Sequence, residues 1–199
     1  MRVIAGKFRS RQLRSLKGMA LRPTSDRLRE TLFNILSEHV AGSRFVDLFA
    51  GTGAVGIEAL SRGAAETIFI ERHAPATALI RKNLESLEIK SGARVLSVDA
   101  LHGLELLEQE LERGPRLPTI VFLDPPYGNT EDYDRVLSFL GFAVLLDDQS
   151  LVIAEHRKNF DLPETIGSLQ RVRVLKQGDA CLSFYRSVRN GRPNTTNPQ

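Results

Sequence analysis

The chain has 199 residues, 42% hydrophobic and 26% charged, which suffices for one sizeable buried core and is ordinary for a soluble globular domain. No stretch approaches the roughly 20 apolar residues of a membrane-spanning helix, and the first 20 residues are basic without the apolar segment of a secretory signal. The single cysteine, Cys181, permits no internal disulfide and reads as a small core residue. A cytoplasmic protein without a membrane anchor is expected.

The net charge of +3 conceals an asymmetry: residues 1–29 carry nine Lys or Arg against one acid, Asp26, a local net of +8. That suggests an arm meeting a polyanion, most plausibly nucleic acid. His39, His73, His102 and His156 are scattered without metal-ligand spacing, so no metal is expected.

In chain order, residues 1–22 mix basic and apolar residues around Gly6 and Gly18, as a short hairpin or extended arm would. A helix then starts at Thr24 or Ser25, with Leu28, Leu32, Ile35 and Leu36 on its core face, and runs to Gly42. Phe45-Val46-Asp47-Leu48-Phe49 reads as a buried strand, Ala50-Gly51-Thr52-Gly53 as a glycine turn, and 54–62 as a helix. Strands at 67–70, 94–98, 119–123 and 151–155 alternate with helices led by the Leu79, Ile80, Leu84 and Leu87 stripe, then by segments near 100–112 and 131–140. This alternation predicts an α/β domain over 23–188 with a parallel sheet covered on both faces. Arg171–Val174 and Ala180–Tyr185 read as a closing antiparallel hairpin, and 189–199 as a disordered tail.

In an open parallel sheet, ligands bind beyond the carboxyl ends of the strands. The turn at Gly51 and Gly53 lets backbone approach a cofactor, with Gly56 completing a G-x-G-x-x-G pattern that is weak by itself. Glu71 follows Gly51 by twenty residues, the spacing at which an acid takes ribose hydroxyls, and Asp99-Ala100 can receive the exocyclic amine of an adenine. Asp47 would repel the pyrophosphate of a dinucleotide but favours the cationic amino-acid end of S-adenosylmethionine; it can also cap the turn's own N–H groups. Asp124-Pro125-Pro126-Tyr127, after the strongest strand, is the most specific signal. Two prolines fix the backbone, leaving the Asp124 carboxylate and Pro125 carbonyl as rigid acceptors and Tyr127 as a stacking ring, a set suited to a planar base with an exocyclic amine.

The stretches Arg22–Asn34, Asp47–Gly53 and Asp124–Tyr127, with the basic start Arg2-Val3-Ile4-Ala5-Gly6-Lys7, resemble the RsmD family of 16S rRNA (guanine(966)-N(2))-methyltransferases over nearly the whole chain. The resemblance implies a Rossmann-like class I S-adenosylmethionine-dependent methyltransferase fold: a mostly parallel seven-stranded sheet with an antiparallel C-terminal strand, plus the basic N-terminal arm. It implies cofactor contacts at Asp47, Phe49, Ala50, Gly51, Thr52, Gly53, Glu71, Arg72, Asp99, Ala100 and Asp124, and catalysis at Asp124, Pro125, Pro126 and Tyr127. RNA contacts are implied at Arg2, Lys7, Arg9, Arg11, Arg14, Arg22, Thr24 and Arg27, with 16S ribosomal RNA in a 30S particle as partner and a monomeric enzyme. Two residues depart from the family pattern: His73, where relatives often carry an acid, and Ser10, where glycine is frequent. Asp-Pro-Pro-Tyr is shared with adenine-N6 methyltransferases, so that activity, a nicotinamide-dependent oxidoreductase and a non-catalytic RNA-binding assembly factor stay open as alternatives.

Overall fold

The computed structural model describes residues 1–15, 24–110, 117–126 and 130–188. Helix α1 (Asp26–Ile35) begins at Ser25, whose hydroxyl accepts the Leu28 N–H. The single helix expected up to Gly42 is broken at Leu36, which takes φ −83° and ψ 2° and separates α1 from the one-turn α2 (Ser37–Val40). Then come β1 (Arg44–Leu48), α3 (Ala54–Ser61), β2 (Glu66–Ile70), α4 (Ala74–Ser86), β3 (Ala93–Leu96), α5 (Ala100–Glu110), β4 (Thr119–Leu123), α6 (Thr130–Phe142) and β5 (Leu151–Arg157). The chain closes with β6 (Thr165–Ile166), β7 (Leu169–Gln177) and β8 (Ala180–Ser187).

The sheet has the order β3-β2-β1-β4-β5-β8-β7-β6. Strands β1 to β5 are parallel and β8 runs antiparallel to β5. Among the described residues eight strands stand where seven are expected, because the two-residue β6 pairs with the start of β7. A two-residue strand has no hydrophobic period to betray it.

Alternate residues of the central strands build cores on opposite faces. Val46, Ile68 and Val121 meet Leu104 of α5 and Leu137 and Leu140 of α6, whereas Phe45, Ile120 and Ile153 meet Leu28, Leu32 and Phe33 of α1 with Val55 and Ala59 of α3. The order reverses between β1 and β4, which lie side by side with Leu48 opposite Leu123. Asp47 and Asp124 therefore stand at adjacent strand ends, at the switch point where a cleft opens.

Residues 1–15 form a hairpin, with Arg2 bridged to Gln12 and the Val3 N–H donating to the Arg11 carbonyl at 3.0 Å. Ser10 has φ 67°, a left-handed conformation that glycine adopts at no steric cost. The hairpin lies against the body. Val3 and Leu13 are buried with Ile57, Phe69 and Ile80, and a Cβ on Gly6 would sit 1.9 Å from the Ser61 carbonyl oxygen. The Glu58 carboxylate accepts the N–H groups of Ile4 and Ala5 at 2.8 and 3.0 Å.

Candidate active site

A cavity of about 740 Å³ opens over the carboxyl ends of the parallel strands, the size of a site for a molecule of cofactor dimensions. One half is walled by the glycine turn, Glu71, Arg72, His73 and the Val98–Leu101 segment, the other by Asp124, Pro125, Pro126, Thr24 and the face of α6 that carries Asp132 and Arg135. The expected cofactor residues Asp47, Phe49, Ala50, Gly51, Thr52, Glu71, Arg72, Asp99, Ala100 and Asp124 all line it. Gly53 does not; it caps α3 in a left-handed conformation, φ 76°.

The glycines of the turn have different reasons to be glycine. A Cβ on Gly56 would come 2.4 Å from Phe69, so Gly56 is set by packing, whereas Gly53 is set by its left-handed backbone, with Ile80 at 3.2 Å adding to it. Gly51, itself left-handed at φ 54°, lines the cavity, and a Cβ there would have only the Phe49 carbonyl oxygen within 4 Å. Of the three, only Gly51 leaves open space for a ligand.

Asp47 is 2% exposed and accepts the Gly56 N–H at 2.8 Å, so it caps the turn it precedes. Burial pushes its carboxyl up to about 8 against the opposing pull of that hydrogen bond, and the charge of Glu71 adds to the rise. A carboxyl raised this far favours its protonated form at neutral pH. Glu71 accepts the N–H of Gly51 at 2.9 Å and of His73 at 2.8 Å, tying the ends of β1 and β2 together. His73 thus serves here through its backbone, its exposed side chain standing at the rim. Asp99 is exposed and accepts the His102 N–H with one oxygen.

Asp124 follows β4 with Pro125 buried and Pro126 exposed behind it. Its carboxyl is pushed well above the usual carboxylate range by burial and then by the neighbouring charges of Glu155 and Asp47. Tyr127, the proposed stacking ring, lies outside the described residues, as do Arg22 of the basic segment and the 189–199 tail.

Among the expected RNA residues, Arg2, Lys7, Arg9, Arg11, Arg14 and Arg27 are exposed. Arg11 also donates to the Ser86 carbonyl at the end of α4. Thr24 departs from them: it is buried in the cavity wall with its hydroxyl 2.7 Å from Oε2 of Glu155. Arg29, one of the cations in the basic count, is fully buried. It lies 3.8 Å from Glu58 and 3.1 Å from Asp26 and donates to the Arg2 carbonyl, so its charge serves the hairpin's seat rather than a polyanion.

Sequence reasoning missed two residues. In the sequence Glu155 reads only as the last residue of a strand, and an acid closing an otherwise apolar run is its signal. Asn83 is fully buried, its amide accepting the Arg14 N–H at 2.9 Å and donating to the carbonyls of Arg14 at 3.2 Å and Thr52 at 3.0 Å. It joins the hairpin to the glycine turn, and its place inside the Leu79–Leu87 stripe could have revealed it.

A parallel sheet with its order reversed between two acid-bearing strand ends, a glycine turn capped by a buried carboxyl, and Asp-Pro-Pro after β4 define a Rossmann-like methyltransferase. S-adenosylmethionine is the methyl donor of this class, and the cavity fits it: the buried Asp47 gains from a cation, and Gly51 lets the donor lie on the backbone. A family model described as "Conserved hypothetical protein 95" matches residues 1–186, and the chain belongs to this family, that of the RsmD methyltransferases. It is 40% identical over 191 residues to "Ribosomal RNA small subunit methyltransferase D" of Haemophilus influenzae, covering 96% of this chain and 94% of that one. It is 36% identical over 186 residues to "Putative rRNA methyltransferase YlbH" of Bacillus subtilis, covering 94% and 98%. A solved structure, "Putative methyltransferase yhhF from Escherichia coli", superposes with a TM-score of 0.78 at 32% identity, covering 94% of this chain and 97% of that one.

Proposed function

We propose that the protein methylates the exocyclic N2 of a guanine in small-subunit (16S) ribosomal RNA. The observation that carries the chemistry is the place of Asp124: at the end of β4, half-buried in the cleft, beside the rigid carbonyl of Pro125 and next to the β1 end that holds the glycine turn. Names of relatives support the RNA substrate, and the exposed cations of the hairpin offer it a basic face.

The bound donor supplies an electrophilic methyl on a sulfonium. Asp124 and the Pro125 carbonyl accept the two N–H bonds of the guanine amine and hold its nitrogen toward that methyl, an arrangement that removes most of the entropic part of the barrier. As the C–N bond forms, positive charge grows on the nitrogen and the Asp124 carboxylate stabilises it, taking the proton that the nitrogen then releases. The elevated pKa of Asp124 makes it a better base for that proton than an ordinary aspartate. Tyr127 is proposed to stack on the base, and Arg2, Lys7, Arg9, Arg11, Arg14 and Arg27 to hold the RNA backbone.

Replacing Asp124 with Ala should abolish methyl transfer while calorimetric affinity for S-adenosylmethionine stays within a few-fold. Near-normal turnover in that variant would refute the role given to Asp124.

A further inference from the structure

Thr24 stands where β4 and β5 deliver their ends to the cleft. It lines the cavity with Asp124 and Pro125, and its hydroxyl lies 2.7 Å from Oε2 of Glu155, which is 5% exposed. Because Leu123 pairs with Ala154, the next residues, Asp124 just after β4 and Glu155 within β5, come side by side. The hydrogen bond runs from the Thr24 hydroxyl to the Glu155 carboxylate oxygen. With its one hydrogen engaged, that hydroxyl offers the cleft only lone pairs.

We propose that Thr24, locked as a hydrogen-bond acceptor by Glu155, selects guanine by accepting its ring N1–H while the adjacent 2-amino group goes to Asp124 and the Pro125 carbonyl. The inference rests on the guanine-N2 reading above and adds the residue that makes the choice. An exocyclic amine flanked by a ring N–H is peculiar to guanine among the standard bases. The amine of adenine is flanked by lone pairs at N1 and N7, and that of cytosine by the N3 lone pair and a C–H. Any of these placed against an acceptor-only hydroxyl loses a hydrogen bond and sets two lone pairs against each other, which a buried site rejects strongly. Glu155 is a positioning residue in this scheme: it acts on the base through Thr24.

The test uses the full chain, S-adenosylmethionine and 16S rRNA carrying, at the methylated position, either guanine or 2-aminopurine, which keeps the 2-amino group but presents a lone pair at N1. The wild-type protein should prefer guanine by roughly a hundredfold or more in kcat/KM. Thr24→Val should bring the two substrates within about threefold of each other, and Thr24→Ser should keep the preference because it keeps the hydroxyl. Glu155→Gln can donate to Thr24 Oγ1 and free its hydrogen for the cleft, so it too should erode the preference. S-adenosylhomocysteine affinities within a few-fold of wild type would show that the variants are folded. A wild-type preference preserved in Thr24→Val, or lost in Thr24→Ser, would overturn the inference while the guanine-N2 reading stands. Failure of the wild-type protein to methylate the guanine RNA at all would defeat that reading, and the inference with it.

Discussion

Replacing Asp47 with Asn should make the protein more stable and a poorer binder of its cofactor, and both effects should depend on pH in a set way. The Asp47 carboxyl is raised by burial from an ordinary 3.8 to about 8. A carboxyl raised on folding contributes stability that is fully present below its unfolded pKa and is lost as pH rises toward its folded one, because the folded state holds a proton that the unfolded chain releases. The window is thus from about pH 4 to about pH 8. At 1.4 kcal/mol per unit, about three units separate pH 7 from the unfolded value, a loss of at most ~4 kcal/mol. Asn keeps an acceptor for the Gly56 N–H but brings an amide that must itself be satisfied, so a net gain of about 2 kcal/mol at pH 7 is expected, falling to about zero at pH 4. Urea denaturation without cofactor at pH 5, 6, 7 and 8 measures it.

Binding of the cationic end of S-adenosylmethionine should draw the proton off Asp47. At pH 7 a group titrating near 8 is about nine-tenths protonated, so the wild type should release about 0.9 proton more than Asp47→Asn, read by calorimetry in buffers of different ionisation enthalpy. Equal proton release in the two proteins, or a stability difference that does not grow with pH, would refute the cation-holding role of Asp47.

Four further outcomes are expected. Methyl transfer should fall as pH drops through the raised pKa of Asp124, placing the acid limb of the single-turnover rate above the usual carboxylate range; a limb near pH 4 would contradict an ionised Asp124 as the proton acceptor. Gly56→Ala, whose Cβ would lie 2.4 Å from Phe69, should cost about 1–3 kcal/mol by thermal or urea denaturation, whereas Gly51→Ala should fold and lose affinity for S-adenosylhomocysteine in calorimetry. Asn83→Ala removes the link between Arg14 and Thr52; a loss of about 1–3 kcal/mol with faster amide exchange across residues 1–15 is expected. Single Ala replacements at Arg2, Lys7, Arg9, Arg14 or Arg27 should each weaken RNA binding and shallow its log–log salt dependence by roughly 0.7–0.9 per lost phosphate contact, measured by filter binding.

Much of the fold was legible because a parallel sheet buries its strands on both faces: Phe45–Phe49 and Thr119–Leu123 are near-continuous apolar runs that leave few alternatives. The break at Leu36 and the short β6 were not legible, since tertiary packing sets them and neither leaves a periodic mark. At the site, the strand-end rule points to Glu71, Asp99 and Asp124, and the choice of a cationic ligand over a pyrophosphate points to Asp47. The ionisation of Asp47 escaped the sequence, because charge in a folded protein depends on burial that the residue name does not carry. Arg29 shows the same limit from the other side: one more cation in a basic segment, it is fully buried against Glu58 and seats the hairpin. Nothing in the residue name Thr24, a helix-cap candidate with an RNA contact implied by resemblance, carries its burial or the bond from its hydroxyl to Glu155.

The central claim is that the cleft delivers a methyl group to the N2 of a guanine in 16S ribosomal RNA. Incubating the protein with labelled S-adenosylmethionine and 30S particles or free 16S rRNA lacking the modification, then digesting the RNA and identifying the nucleoside by mass spectrometry, tests it directly. A single N2-methylguanosine mapped to one position is the predicted result; N6-methyladenosine, or no labelled methyl in either RNA, would contradict it.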